Sequence, residues 1–127
     1  MKTILVIEDN LDNMALVNEI LEDAGYRVVQ VTHAEEGIAR LQKEGIDLVL
    51  MDISLPEMDG LEATRIIRAD KDLQAIPVIG LSAHAMNSDK EAALEAGCDE
   101  YQTKPIDETA LLQAIKTLCN DVEKVNS

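Results

Sequence analysis

The sequence predicts an α/β fold in which a parallel sheet is covered on both faces by helices, and three observations lead there. Five short apolar runs alternate with longer segments of helical periodicity: "TILVI" (3–7), "RVVQV" (27–31), "DLVLM" (47–51), "PVIGL" (77–81) and a weaker "EYQT" (100–103). The central runs are apolar without alternation, as in strands buried on both faces. Strand followed by helix, repeated five times, is the pattern of βαβ units with right-handed crossovers.

Each helical segment has its own signals. Between the first two runs, Met14, Val17, Ile20, Leu21 and Ala24 mark one face, and Gly25 closes the helix. "AEEGIARLQKEG" repeats the arrangement with Ile38 and Leu41, and is expected to end on its glycine. "LEATRIIRA" and "SDKEAALEAG" follow, the latter stopped by Gly97. The last helix, about 107–119, carries Leu111, Ala114, Ile115 and Leu118 at helical spacing. The helix at 88–96 has mostly alanines for an apolar face, so it should be the most weakly anchored.

Length and composition set the bounds. The 127 residues suit one domain over 1–127, with a core of about 3–119 and a short polar C-terminal tail. An apolar share of 46% predicts folding rather than disorder. Trp and Phe are absent, so Ile, Leu, Val, Ala and Met must pack the core beside Tyr26 and Tyr101. A formal net charge of −14 argues against nucleic-acid backbones and anionic membranes, and favours cationic partners or divalent metals. Cys98 and Cys119 have neither disulfide nor zinc spacing, which suggests reduced thiols. No signal peptide or membrane-length apolar window occurs, so a cytoplasmic location is expected.

The chemistry gathers after the strands. Glu8 and Asp9 follow the first, Asp52 the third, Ser82 the fourth and Lys104 the fifth. In a parallel sheet these ends share one edge, where doubly wound folds bind ligands. Two carboxylates about 4 Å apart repel by roughly 4 kcal/mol at an effective dielectric of 20, so they must share a proton, hold a lysine or bind a cation. Oxygen-only ligands suit Mg²⁺, and an aspartate can attack phosphorus. A neighbouring lysine and hydroxyl would steady phosphoryl oxygens, so the arrangement suggests Mg²⁺-assisted phosphoryl transfer onto Asp52. Taken singly the members mean little: Asn10 or Asp12 would cap a helix, Ser82 would end a strand and Lys104 would sit in water. Their coincidence on one edge carries the inference.

Four stretches, "VIEDN" (6–10), "LMDISLPEMDG" (50–60), "GLSAHAM" (80–86) and "YQTKPI" (101–106), closely resemble the receiver domains of two-component response regulators. The resemblance runs from about Thr3 to Cys119 and implies a flavodoxin-like sheet of strand order 2-1-3-4-5. It implies that Asp52 accepts phosphate from a phosphohistidine. Asp9, Asp52 and the backbone carbonyl of Ser54 would hold Mg²⁺, with Glu8 acting through water. Lys104 and Ser82 would hold the phosphoryl oxygens, Ser82 moving toward them while Tyr101 swings inward. Pro56 and Gly60 match the family's loop, the glycine supporting a tight turn, and the Lys104–Pro105 bond is expected to be cis. Ser54 and His84 occupy positions where the family's residues tune hydrolysis of the phosphate, which implies the same role for this pair.

The implied partners are a histidine kinase or histidine phosphotransfer domain, and a target protein reading the surface of the fourth helix, fifth strand and fifth helix. A monomer is expected, without an output domain and with no enzyme activity beyond Mg²⁺-dependent self-phosphorylation and autodephosphorylation. The motifs resemble stand-alone chemotaxis-type and cell-cycle regulators, and also receivers of hybrid kinases. A receiver excised from a hybrid kinase and a phosphate-independent binding module are therefore the alternatives. A dehalogenase-type phosphohydrolase would carry Asp-x-Asp, whereas Ser54 stands two after Asp52. Flavin binding would want a Ser/Thr-rich loop where "EDNLDN" stands, and neither GxxxxGK[ST] nor GxGxxG occurs.

Overall fold

The computed structural model describes residues 2–53, 59–82 and 87–119, with the side chains of 87–89 outside that description. Strands and helices alternate as β1 (Thr3–Ile7), α1 (Leu11–Asp23), β2 (Arg27–Val31), α2 (Ala34–Lys43), β3 (Leu48–Asp52), α3 (Gly60–Ala69), β4 (Val78–Ser82), α4 (Asn87–Ala96), β5 (Glu100–Thr103) and α5 (Glu108–Leu118). The sheet is parallel in the order β2-β1-β3-β4-β5, as the resemblance implies. Two strands sit one residue later than expected. Asp52 pairs with Leu81 and Ser82 with Thr103, so both belong to the ladder instead of following it.

The sheet separates two apolar layers. On one side Ile4, Val6, Leu48, Leu50, Ile79 and Leu81 meet Met14, Val17 and Leu21 of α1 and Leu111 and Ile115 of α5. On the other, Leu5, Ile7, Val49, Met51 and Val78 meet Ala34 and Leu41 of α2, Ala63 and Ile67 of α3 and Ala93 of α4. Leu94 of α4 faces water and Ala93 and Ala96 are its buried residues among those described, which agrees with the light anchoring expected of this helix. Both cysteines are buried and neither is in a disulfide, and burial pushes the Cys98 thiol up.

Acidic and amide side chains start α1, α3 and α5. Asn10 accepts from Asn13 N at 3.0 Å, Asp59 from Glu62 N at 2.8 Å and Asp107 from Ala110 N at 3.1 Å. Gly25 and Gly97 take left-handed φ values of 93° and 120° just past α1 and α4. Three expectations need correction. Ala24 is the exposed cap of α1 rather than part of its buried face. Helix α2 stops at Glu44, whose backbone turns extended at φ −118°, so Gly45 is not its terminator. Gly60 is the first residue of α3 and is not left-handed, so a tight turn is not what requires glycine there. A Cβ at Gly60 would overlap the backbone oxygen of Asp52 and lie 2.8 Å from Ile53 Cα. The glycine lets α3 start directly against the end of β3.

Opposite the strand ends that carry the acidic residues, Arg68 ties four segments together. Its Nε donates to Gly97 O at 2.8 Å, and Nη1 donates to Gln74 O at 2.8 Å and Ile76 O at 2.7 Å. Nη2 donates to Asp99 Oδ2 at 2.7 Å, and that oxygen also accepts from Val78 N at 2.8 Å. No helix of the described residues is long and apolar enough to cross a membrane.

Candidate functional site

Strands β1 and β3 are neighbours in the sheet, with Ile7 opposite Met51. Their next residues, Glu8 and Asp52, are therefore brought side by side, and Asp9 follows at the rim. Glu8 is 1% exposed and Asp52 3% exposed, whereas Asp9 is open to water. One carboxylate oxygen from each of the three falls within 4.8 Å of the others.

Lys104, just past β5, reaches across to them. Its Nζ lies 2.8 Å from Glu8 Oε1 and 3.4 Å from Asp52 Oδ2. The Glu8 contact is close in charge but poorly aligned, since Oε1 is buried and accepts no well-directed hydrogen bond from the described residues. Glu8 Oε2 accepts from Asn10 N at 3.1 Å. Burial, reinforced by the adjacent Asp52, pushes the Glu8 carboxyl up to about 6. For Lys104 burial acts downward, but Glu8 and Asp52 outweigh it and hold the ammonium above its ordinary value. One ammonium among three carboxylates leaves negative charge in excess, and the donor set is entirely oxygen. Those properties fit a hard divalent cation of the Mg²⁺ kind.

The remaining predicted residues divide cleanly. Ser82 is 2% exposed and ends β4 beside β3, and its carbonyl accepts from Lys104 N at 2.7 Å. Tyr101 pairs with Gly80, two positions before Ser82, which puts it on the same sheet face as Ser82. Its side chain is already inside, 8% exposed within the layer under α2, α3 and α4. The Lys104–Pro105 peptide is cis. Ser54, Pro56 and His84 lie outside the described residues, so the carbonyl ligand and the pair expected to tune hydrolysis have no structural account.

Two features escaped the sequence reading. Glu8 meets Lys104 directly, which motif spacing does not show. Ile53 packs against Gly80, and the available signal was a glycine inside an otherwise apolar strand, a mark of close approach.

A doubly wound parallel sheet with buried acids, a lysine and a strand-end serine on one edge defines the receiver class of signalling domain. The chain belongs to the response regulator receiver domain family, which residues 4–116 match. It is 37% identical over 120 residues to the polar-differentiation response regulator DivK of Brucella ovis, covering 94% of this chain and 98% of DivK. It is 42% identical over 115 residues to the sensor protein GacS of Pseudomonas syringae pv. syringae, a match covering 88% of this chain but only 13% of GacS. Among solved structures, the receiver domain of sensor histidine kinase PA1611 from Pseudomonas aeruginosa PAO1 superposes with a TM-score of 0.87 at 34% identity, over 94% of this chain and 98% of that one. The chain is thus a phosphorelay response-regulator receiver.

Proposed function

We propose that Asp52 is the phosphoacceptor and that the acidic cluster around it works with Mg²⁺. The observation that carries this reading is a buried Asp52 held 3.4 Å from Lys104 and within reach of two further carboxylates. The PA1611 receiver, a similar chain, has a magnesium ion coordinated in its active-site cleft. Here Asp9 and Asp52 would hold the ion, with Glu8 behind them. When bound, it would offset the charge of the carboxylates and of the incoming phosphoryl oxygens.

The chain's own groups then have defined tasks. An Asp52 carboxylate oxygen attacks the phosphorus of a phosphohistidine; the new P–O bond forms as the P–N bond breaks, and the imidazole leaves with the electron pair. Lys104 would follow a phosphoryl oxygen with its ammonium, and the Ser82 hydroxyl would bond another. Water attack on the acyl phosphate would reverse the modification. The donor is a histidine kinase or histidine phosphotransfer domain, in keeping with the kinase-borne relatives.

The output is protein contact through α4, β5 and α5. A cavity of about 750 Å³ opens on that side, lined by Lys90, Tyr101, Gln102, Gln113 and Leu118 among others. Working as a single receiver unit over 1–127 is supported by the near end-to-end match with DivK. The test is chemical mapping. After labelling with acetyl phosphate and Mg²⁺, borohydride reduction of the acyl phosphate and peptide analysis should place the reduced residue at position 52. Reduction at Asp9 or Glu8 instead would overturn the assignment.

A further inference from the structure

We propose that Ile53, seated in the notch that Gly80 leaves in β4, is the positioning residue for Asp52. The inference rests on the reading of Asp52 given above, and its observations are separate from that reading. Ile53 directly follows Asp52 and is held by its backbone on two sides. Its N–H donates to Leu81 O at 2.9 Å, and its carbonyl accepts from Gly60 N at 3.0 Å. Its side chain fills the space where residue 80 would otherwise carry one. A Cβ at Gly80 would lie 3.1 Å from Ile53 Cδ1, 3.5 Å from Ile53 Cγ1 and 3.3 Å from Cys98 Sγ. Gly80 is not left-handed, so room rather than backbone freedom is what the position requires. Gly60 closes on the same two residues, since a Cβ there would overlap Asp52 O and crowd Ile53 Cα.

The end of β3 is thus gripped by two glycine contacts, two backbone hydrogen bonds and one partly buried branched side chain. Such a grip has a physical purpose. Glu8 and Asp52, with carboxylate oxygens within 4.8 Å of one another, repel when both are ionised, and Lys104 offsets only part of this. The partly buried Ile53 side chain adds an apolar contact that helps hold the strand end against that push. A binding constellation tolerates about 0.5 Å of displacement before it loosens, so a few tenths of an ångström at Ile53 matter at Asp52. Cys98 Sγ borders the same notch, from the turn that follows α4.

The test compares Gly80→Ala, Gly80→Ala/Ile53→Val and Ile53→Ala with the unaltered protein. Mg²⁺ affinity is read by calorimetry and global stability by urea unfolding. Gly80→Ala should weaken Mg²⁺ binding at least about threefold, because the added methyl displaces Ile53 and Asp52 with it. Removing Cδ1 in the double variant relieves the closest of these contacts, and affinity should return to within about twofold of the original. Ile53→Ala, which folds without crowding, should also lose affinity and serves if Gly80→Ala does not fold. A role confined to packing would lower the urea midpoint in the variants and leave Mg²⁺ affinity alone. Unchanged affinity in Ile53→Ala and in whichever Gly80 variants fold, or no recovery in the double variant, overturns the proposal. Failure of the unaltered protein itself to bind Mg²⁺ would instead overturn the functional reading, and this inference with it.

Discussion

At Glu8, burial and charge act against each other. A carboxyl buried beside Asp52 would rather be neutral, and Lys104 at 2.8 Å only partly relieves it, which leaves it titrating near 6. The folded chain therefore holds that proton more tightly than the unfolded chain does. Its contribution favours folding below pH 4.5 and is lost as pH rises through about 6. Replacing the residue by glutamine removes the titration. In metal-free buffer, Glu8→Gln should gain stability over the unaltered protein as pH climbs through this window, by on the order of 1 kcal/mol after allowance for solvent screening. Urea midpoints followed by circular dichroism at several pH values check this. A constant difference between the two proteins would show that burial is not what raises the carboxyl.

Among its described residues, α4 buries only the alanines Ala93 and Ala96. Its buried alanines give it little packing, and its C-terminal end is fastened chiefly by polar contacts from Arg68 to Gly97 O and to Asp99. Arg68→Ala should cost about 2–3 kcal/mol, because several carbonyls and a carboxylate lose a charged donor at once. Arg68→Lys should recover little of it, since one ammonium cannot reproduce the guanidinium fork. Urea unfolding measures both, and full rescue by lysine would refute the fork argument. Amounts of this kind were not legible beforehand. The five strands and five helices were, since unbroken apolar runs and helical spacing survive in one dimension. Asp52 and Ser82 joining their strands was not, because strand ends depend on which neighbour continues the ladder. Nor was the part of Arg68, a solitary basic residue in the last turn of α3, whose partners lie as far as 31 residues away. The candidate site was legible because its members each end or follow a strand, whereas the seating of Ile53 required the packing.

For the whole molecule, a net charge of −14 means that the acidic edge sits in a field that draws cations and repels anions. A phosphoryl donor is itself anionic, so its approach to Asp52 should need local charge compensation beyond Lys104. The measurement that tests this most directly is intact mass after incubation with acetyl phosphate, with Mg²⁺ and with EDTA, on the unaltered protein and on Asp52→Asn. The account predicts one phosphoryl group added in the presence of Mg²⁺, none with EDTA and none on Asp52→Asn. An equal adduct on Asp52→Asn, or one indifferent to EDTA, would contradict it.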